Sequence, residues 1–154
     1  RSRLYKLEGA MFVRLDHVGL VAYTIDEAKT ILGDQLGLDI DEKKSNWPDG
    51  SFFAPEQTFN YFFQIAKGET QIEVLIPAED ATSGTAKYLA KNGPGLHHIC
   101  FAARDVNEEV ERLRAQGMRQ IELSATADGR PTAAFFHPSS VGGVLTEIVP
   151  LREG

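Results

Sequence analysis

The strongest constraint on this chain is that it repeats itself. Leu15-Asp16-His17-Val18 can be laid on Leu96-His97-His98-Ile99, and the same offset carries Ile25-Asp26-Glu27 onto Val106-Asn107-Glu108 and Leu32 onto Leu113. With one residue dropped, Gly37 meets Gly117. Near the end of each half, Ile72-Glu73-Val74 resembles Thr146-Glu147-Ile148. Self-similarity of this kind means one supersecondary unit used twice, with neither copy able to bury its apolar face alone.

Each half reads alike. Residues 14–22 are rich in Val and Leu and read as a strand. Asp26 to Leu36 has helical spacing, with Ala28, Ile31, Leu32 and Gln35/Leu36 on one side, Thr24 as N-cap with Glu27 three residues on, and Gly37 as the stop. Trp47-Pro48-Asp49-Gly50 reads as a turn. Strands over Thr58–Ala66 and Thr70–Ile76 join at Lys67-Gly68. In the second half, strand 96–103 leads to helix 106–116, capped by Asp105 and closed by Gly117. Strands follow near 119–123, 132–137 and 143–149, with a turn at Ala127-Asp128-Gly129. Between the halves, Thr82–Lys91 reads as a short helix and Asn92-Gly93-Pro94-Gly95 as a breaker. The expected class is α+β, two tandem βαβββ modules whose curved mixed sheet encloses a cleft. Module one covers 12–77, the linker 78–95 and module two 96–150, all within a single domain. Residues 1–11 share no pattern with the rest and read as an N-terminal extension or remnant.

Composition narrows the function. A net charge of −6 without a basic stripe argues against nucleic acid as a partner. No apolar run approaches the roughly 20 residues of a membrane span, and no secretory segment with a long apolar stretch is expected. Cys100 is the one cysteine, so a cysteine-based zinc site and an internal disulfide are excluded. That use of cysteine fits a reducing, cytoplasmic setting.

Four residues carry the chemistry. His17 and His98 sit mid-strand in apolar runs, and Glu73 and Glu147 sit mid-strand among Ile, Val and Leu. Taken singly, a strand His is usually a satisfied half-buried residue and a strand Glu usually faces water. Symmetry changes the reading, because each half places one His on its first strand and one Glu on its last. A carboxylate among aliphatic neighbours is costly unless paired or metal-bound. Two neutral imidazoles and two carboxylates suit one divalent ion, with Co, Mn, Ni, Fe and Zn all compatible. Strand alternation sends His97 to the face opposite His98, so His97 is expected to be structural or near the rim. The aromatic strand around Asn60-Tyr61-Phe62-Phe63-Gln64 is mostly core. One of its faces offers Asn60, Phe62 and Gln64 as substrate-contacting residues.

At these residues the chain resembles the vicinal oxygen chelate superfamily, which includes glyoxalases, bleomycin resistance proteins and dioxygenases. Within it, the methylmalonyl-CoA epimerase branch is the most similar. The carrying segments are Leu15-Asp16-His17-Val18-Gly19-Leu20, Gly68 to Pro77, Ala86 to Lys91 with Gly95-Leu96-His97-His98-Ile99, and Phe136-His137-Pro138 with Gly143-Val144-Leu145-Thr146-Glu147. Together they span nearly all of residues 12–150.

The resemblance implies His17, Glu73, His98 and Glu147 as metal ligands, with Glu147 and Glu73 as the residues that move protons. It implies a small substrate such as an acyl-CoA, and a homodimer. Two neighbouring substrate oxygens would sit on the ion while the α-proton is removed from one face and returned on the other. Two departures are present. Epimerases often carry Gln at the position of Glu73, where Glu also matches glyoxalase I. Some carry an acidic residue on the first hairpin strand, where Phe62, or else Asn60, stands here. The alternatives are therefore a glyoxalase I-like lactoylglutathione lyase and a non-catalytic binding or resistance protein on the same scaffold.

Overall fold

The apolar run at 14–22 forms the first strand, β1 (Arg14–Val21). The computed structural model describes residues 12–121 and 133–151. After β1 come a short helix α1 (Ile25–Ala28) running into a π-helical turn (Lys29–Gln35), then β2 (Asp39–Ile40), β3 (Ser51–Phe53), β4 (Thr58–Gln64) and β5 (Gln71–Pro77). Helix α2 (Gly84–Asn92), β6 (Gly95–Ala103), α3 (Val106–Ala115), β7 (Gln120–Ile121), β8 (Ala134–Phe136), a 3-10 turn (Pro138–Ser140) and β9 (Leu145–Pro150) complete the order. The class is α+β, as the pattern predicts. The expected N-terminal extension, the turn at Ala127-Asp128-Gly129 and parts of the neighbouring strands lie outside the described residues.

The chain divides into two units, His17–His98 and Arg1–Asp16 with Ile99–Gly154. In the His17–His98 unit the strands run in the order β2, β4, β5, β1, with β3 also on β4. β1 and β5 are parallel, with Gly19 opposite Glu73 and His17 opposite Gln71. β4 and β5 form the expected hairpin, with Phe62 opposite Glu73. One face of this sheet holds the core. Tyr61, Phe63 and Val74 pack there with Ala22, Ala28 and Leu32. On the other face Val21 and Leu75 pack with Leu89 of α2. Ser83 caps α2, accepting from the Ala86 N–H.

The helix after β1 differs from its expected form. Thr24 caps it, accepting from the Glu27 N–H at 3.2 Å. Its second half is π-wound, however, with the Leu36 N–H donating to the Ile31 carbonyl at 3.0 Å. The wider winding leaves the 3.6-residue phase on which the apolar stripe was read. Ala28 and Leu32 stay buried, while Ile31 and Leu36 are 53% and 66% exposed. Gly37 then ends the helix at φ +82°, as its counterpart Gly117 does at +85° after α3, the left-handed stop that favours glycine.

Two short strands were not foreseen. β2 and β3 flank a loop, residues 41–50, and both pair antiparallel with β4. Between them β4 would have an unmatched stretch at Phe62. The loop closes it: the Asp41 N–H donates to the Phe62 carbonyl at 2.8 Å, and Ser45 Oγ accepts from the Phe62 N–H at 2.8 Å. Buried backbone groups must find such partners, which is why Ser45 is fully buried. Asp41 holds the loop together. Its Oδ1 accepts from the Lys44 N–H at 3.0 Å, and its Oδ2 accepts from Gln64 and Gln71 at 3.3 and 3.1 Å.

In the other unit, β6 neighbours β9, followed by β8 and β7. Asp105 caps α3 as expected, accepting from the Glu108 N–H at 3.0 Å. Val106 and Leu113 pack with Ala103, Ala134, Phe136 and Ile148. Glu109 is buried on this helix and is matched by Arg112 at 2.8 Å. Among the described residues, no helix is long and apolar enough to cross a membrane.

The hydrogen bond from the Lys44 backbone N–H, with those from Gln71 and Gln64, holds the Asp41 carboxyl below the ordinary carboxylate range despite partial burial. Its stabilisation is therefore present above the unfolded-state pKa of about 4 and is lost as pH falls through the lower folded value. Urea unfolding should show Asp41→Asn less stable than the parent at neutral pH, with the gap closing as pH drops below about 4. A gap that stays constant with pH would contradict the role given to the charge.

Candidate metal centre

Three of the four predicted residues converge, and all three belong to the His17–His98 unit. His17 Nε2 and His98 Nε2 stand 3.0 Å apart. Glu73 Oε1 lies 3.5 Å from the first and 3.3 Å from the second. The three residues are 6%, 3% and 7% exposed respectively for His17, His98 and Glu73. The strand pairing explains the meeting. Gly19 is opposite Glu73, so β1 and β5 present the alternate residues His17 and Glu73 on one face.

Gly19 is a member of the site that sequence reasoning did not single out, although it lies in the quoted segment Leu15 to Leu20. A Cβ built there would overlap the His98 imidazole. The absence of a side chain at this point of β1 is what lets the ring lie against the strand and aim Nε2 at Glu73. The remaining nitrogen of His98 is also occupied: its Nδ1 is 2.9 Å from His97 Nδ1.

The donor set fits a divalent cation. Three acceptor atoms facing one point repel one another unless a proton or a cation lies between them. Separations of 3.0 to 3.5 Å are those of neighbouring ligand atoms around an ion whose bonds are about 2.1 Å long. Imidazole nitrogen with carboxylate oxygen suits first-row divalent ions. Buried in this way, an ionised Glu73 is costly without such compensation.

The other predicted residues take clear places. Asn60, Phe62 and Gln64 share the face of Glu73, since Phe62 is its direct partner across the hairpin. Tyr61 and Phe63 turn to the opposite, core face, which settles the orientation that alternation alone left open. Asn60 accepts from the Thr58 hydroxyl at 2.7 Å. Phe62 is buried beneath Lys44, whose ammonium sits 4.2 Å from the ring centre and donates to Gln71 Oε1 at 2.8 Å. A loop lysine thus stands on the site's face above the position where a carboxylate was sought. Nothing in the strand pattern could have placed it, because the loop reaches it through Asp41 and Ser45. Glu147, in the other unit, is half-buried on β9 opposite Phe135.

Comparison with known proteins gives the same family as the motifs. The model of the glyoxalase/bleomycin resistance protein/dioxygenase superfamily matches residues 16–135. The mitochondrial methylmalonyl-CoA epimerase of Bos taurus is 30% identical over 138 residues, covering 88% of this chain and 73% of the relative. The crystal structure of methylmalonyl-CoA epimerase from Mycobacterium tuberculosis superposes with a TM-score of 0.75 at 28% identity, covering 92% of this chain and 91% of the other. A variant of the Streptomyces coelicolor methylmalonyl-CoA epimerase in complex with 2-nitronate-propionyl-CoA gives 0.74 at 27% identity, covering 92% and 99%. With its model matched over most of the chain and epimerases among its homologues, this protein belongs to the glyoxalase/bleomycin resistance protein/dioxygenase superfamily.

Proposed function

We propose that this protein is a divalent-metal-dependent epimerase that inverts the α-carbon of a methylmalonyl thioester of coenzyme A. The observation that carries the reading is the buried trio His17, Glu73 and His98, whose donor atoms all lie within 4.8 Å of one another. The epimerase relatives supply the reaction and the substrate class. We read 12–150 as one domain, with Glu147 as the fourth ligand by sequence likeness.

His17 and His98 would hold the ion through Nε2, and Glu73 would neutralise part of its charge. A bound divalent cation supplies Lewis-acid stabilisation of the enolate, generally worth several kcal/mol. The chain's own groups do the proton work. The α-proton of a thioester flanked by a carboxylate must leave on one side and a proton must arrive on the other. Glu147 and Glu73 are the carboxyl groups assigned to those two tasks, and general acid–base help of this kind contributes about 10² to 10⁴-fold. Phe62 leaves no base on its strand, and Lys44 occupies the space above it. A protonated lysine there suits the free carboxylate of the substrate and would hold it against the site's face. The apolar ring beneath limits water around the reacting carbon.

One observation favours a second reading. A Glu, rather than Gln, converges on the two imidazoles, and this match to glyoxalase I would serve an isomerase acting on a hemithioacetal. Turnover with methylmalonyl-CoA and none with the methylglyoxal–glutathione adduct is the expected result. The reverse would replace the epimerase reading with the lyase.

Elemental analysis of the purified protein should give about one divalent ion per chain. His98→Ala and Glu147→Ala should each lose ion and activity while circular dichroism stays that of the parent; stoichiometric metal in both would refute the assignment. Gly19→Ala should lower metal affinity by about 10-fold or more, since the added methyl displaces the His98 ring and misplaced ligand support costs that much. Unchanged affinity would mean that the ring position is set elsewhere. Lys44→Met should raise KM for the acyl-CoA more than it lowers kcat. A pure loss of kcat would remove the lysine from substrate binding.

A further inference from the structure

His97 was expected to point away from the site, and its ring instead meets that of its neighbour. Its Nδ1 is 2.9 Å from His98 Nδ1, with the rings perpendicular. Its Nε2 is 3.5 Å from Thr85 Oγ1. Thr85 is buried, 1% exposed, in the first turn of α2. The Glu56 carboxyl lies over the same turn, beside Gly84, where the Thr85 hydroxyl and backbone N–H act against the burial that raises its pKa. Tyr88, one helical turn further on, packs its ring edge-on against His97 at 5.2 Å and donates its hydroxyl to the Leu96 carbonyl at 2.7 Å.

The proton directions along this row are fixed by chemistry. His98 offers Nε2 to Glu73 and His17, so its proton is on Nδ1 when Nε2 is a ligand. That proton can go only to an acceptor, which makes His97 Nδ1 the unprotonated nitrogen. His97 then carries its own proton on Nε2 and donates to Thr85 Oγ1. The Thr85 hydroxyl proton is left for Glu56, a carboxylate that needs donors. Burial pushes the Glu56 carboxyl up, while the hydrogen bonds from Thr85 pull it the other way. With His98 ligating through Nε2, each histidine in the row thus donates to the next group, and the row ends at the Glu56 carboxyl.

We infer that His97 is a positioning residue for the metal: with Thr85 and Glu56 behind it, it fixes the tautomer and ring angle of His98 and makes Nε2 a stronger ligand. The inference rests on the metal reading above. Outer partners of a ligating imidazole commonly act in this way, and their loss costs about 10–100-fold in metal affinity. The sequence also explains why two histidines stand side by side. Alternation would part them, but the chain enters β6 through the breaker Asn92-Gly93-Pro94-Gly95, with Gly95 at φ +153°. His97 thus lies only two residues into β6 beyond that breaker.

The test is cobalt(II) binding by the full chain, measured by competition with a chromophoric chelator, together with the visible spectrum of the bound cobalt. His97→Phe should weaken binding about 10–100-fold and alter the cobalt bands. His97→Asn, which returns an acceptor near the Nδ1 position, should recover most of the affinity. Thr85→Val should move affinity in the same direction by a smaller factor. Parent-like cobalt affinity in His97→Phe would overturn the role of His97 alone. Equal losses in His97→Phe and His97→Asn, with both folded, would show that the ring matters for shape and would also overturn it. A parent protein that takes up no cobalt would overturn the metal reading itself.

Discussion

Three acceptor atoms forced towards one buried point are what the rest of this site is arranged around. Two imidazole nitrogens at 3.0 Å and a carboxylate oxygen within 3.5 Å of both are unfavourable unless a proton or a cation sits between them. Water cannot supply that compensation, because the three side chains are nearly inaccessible. A pair of neutral residues would relieve the strain at once, so the chain retains a cost that only a cation or proton removes. The neighbouring features all serve this arrangement. Gly19 leaves room for the His98 ring, His97 occupies its far nitrogen, and the parallel pairing of β1 with β5 sets His17 and Glu73 on one face.

The division of the sheet into two faces makes the site possible. Aromatic residues alternate along β4, so Phe63 and Tyr61 anchor the π-wound helix on one side, while Phe62 lines the side that carries Glu73. The loop 41–50 gives the second face its character. By pairing with the backbone of Phe62 it seals the ring in place, and it brings Lys44 over it. The result is an apolar ring under a cation, on the face of the sheet that carries Glu73.

Much of this was legible in the sequence. The repeat, the His and Glu pattern, the capped helices and the hairpin follow from periodicity and cap chemistry, and three of the four residues that the symmetry singled out, His17, Glu73 and His98, lie together. What was not legible has physical reasons. The π winding after Thr24 depends on tertiary packing around Ala28 and Leu32, so Ile31 and Leu36 look buried in the pattern and are exposed. β2 and β3 are too short to have a pattern of their own; they exist because β4 has backbone groups to satisfy. Lys44 was missed because a loop excursion decides where it points, and His97, read as structural or near the rim, instead meets the ring of His98. Gly19 was visible as a letter but not as a reason, since the close approach that requires it comes from a strand far away in sequence.

The central claim is that His17, Glu73 and His98 together hold one divalent ion. A crystal of the metal-loaded protein, with diffraction recorded on both sides of the metal's absorption edge, tests it most directly. The account predicts a single strong anomalous peak about 2.0–2.2 Å from His17 Nε2, His98 Nε2 and a Glu73 carboxylate oxygen. An anomalous peak elsewhere, with the trio bridged only by protons, would contradict it.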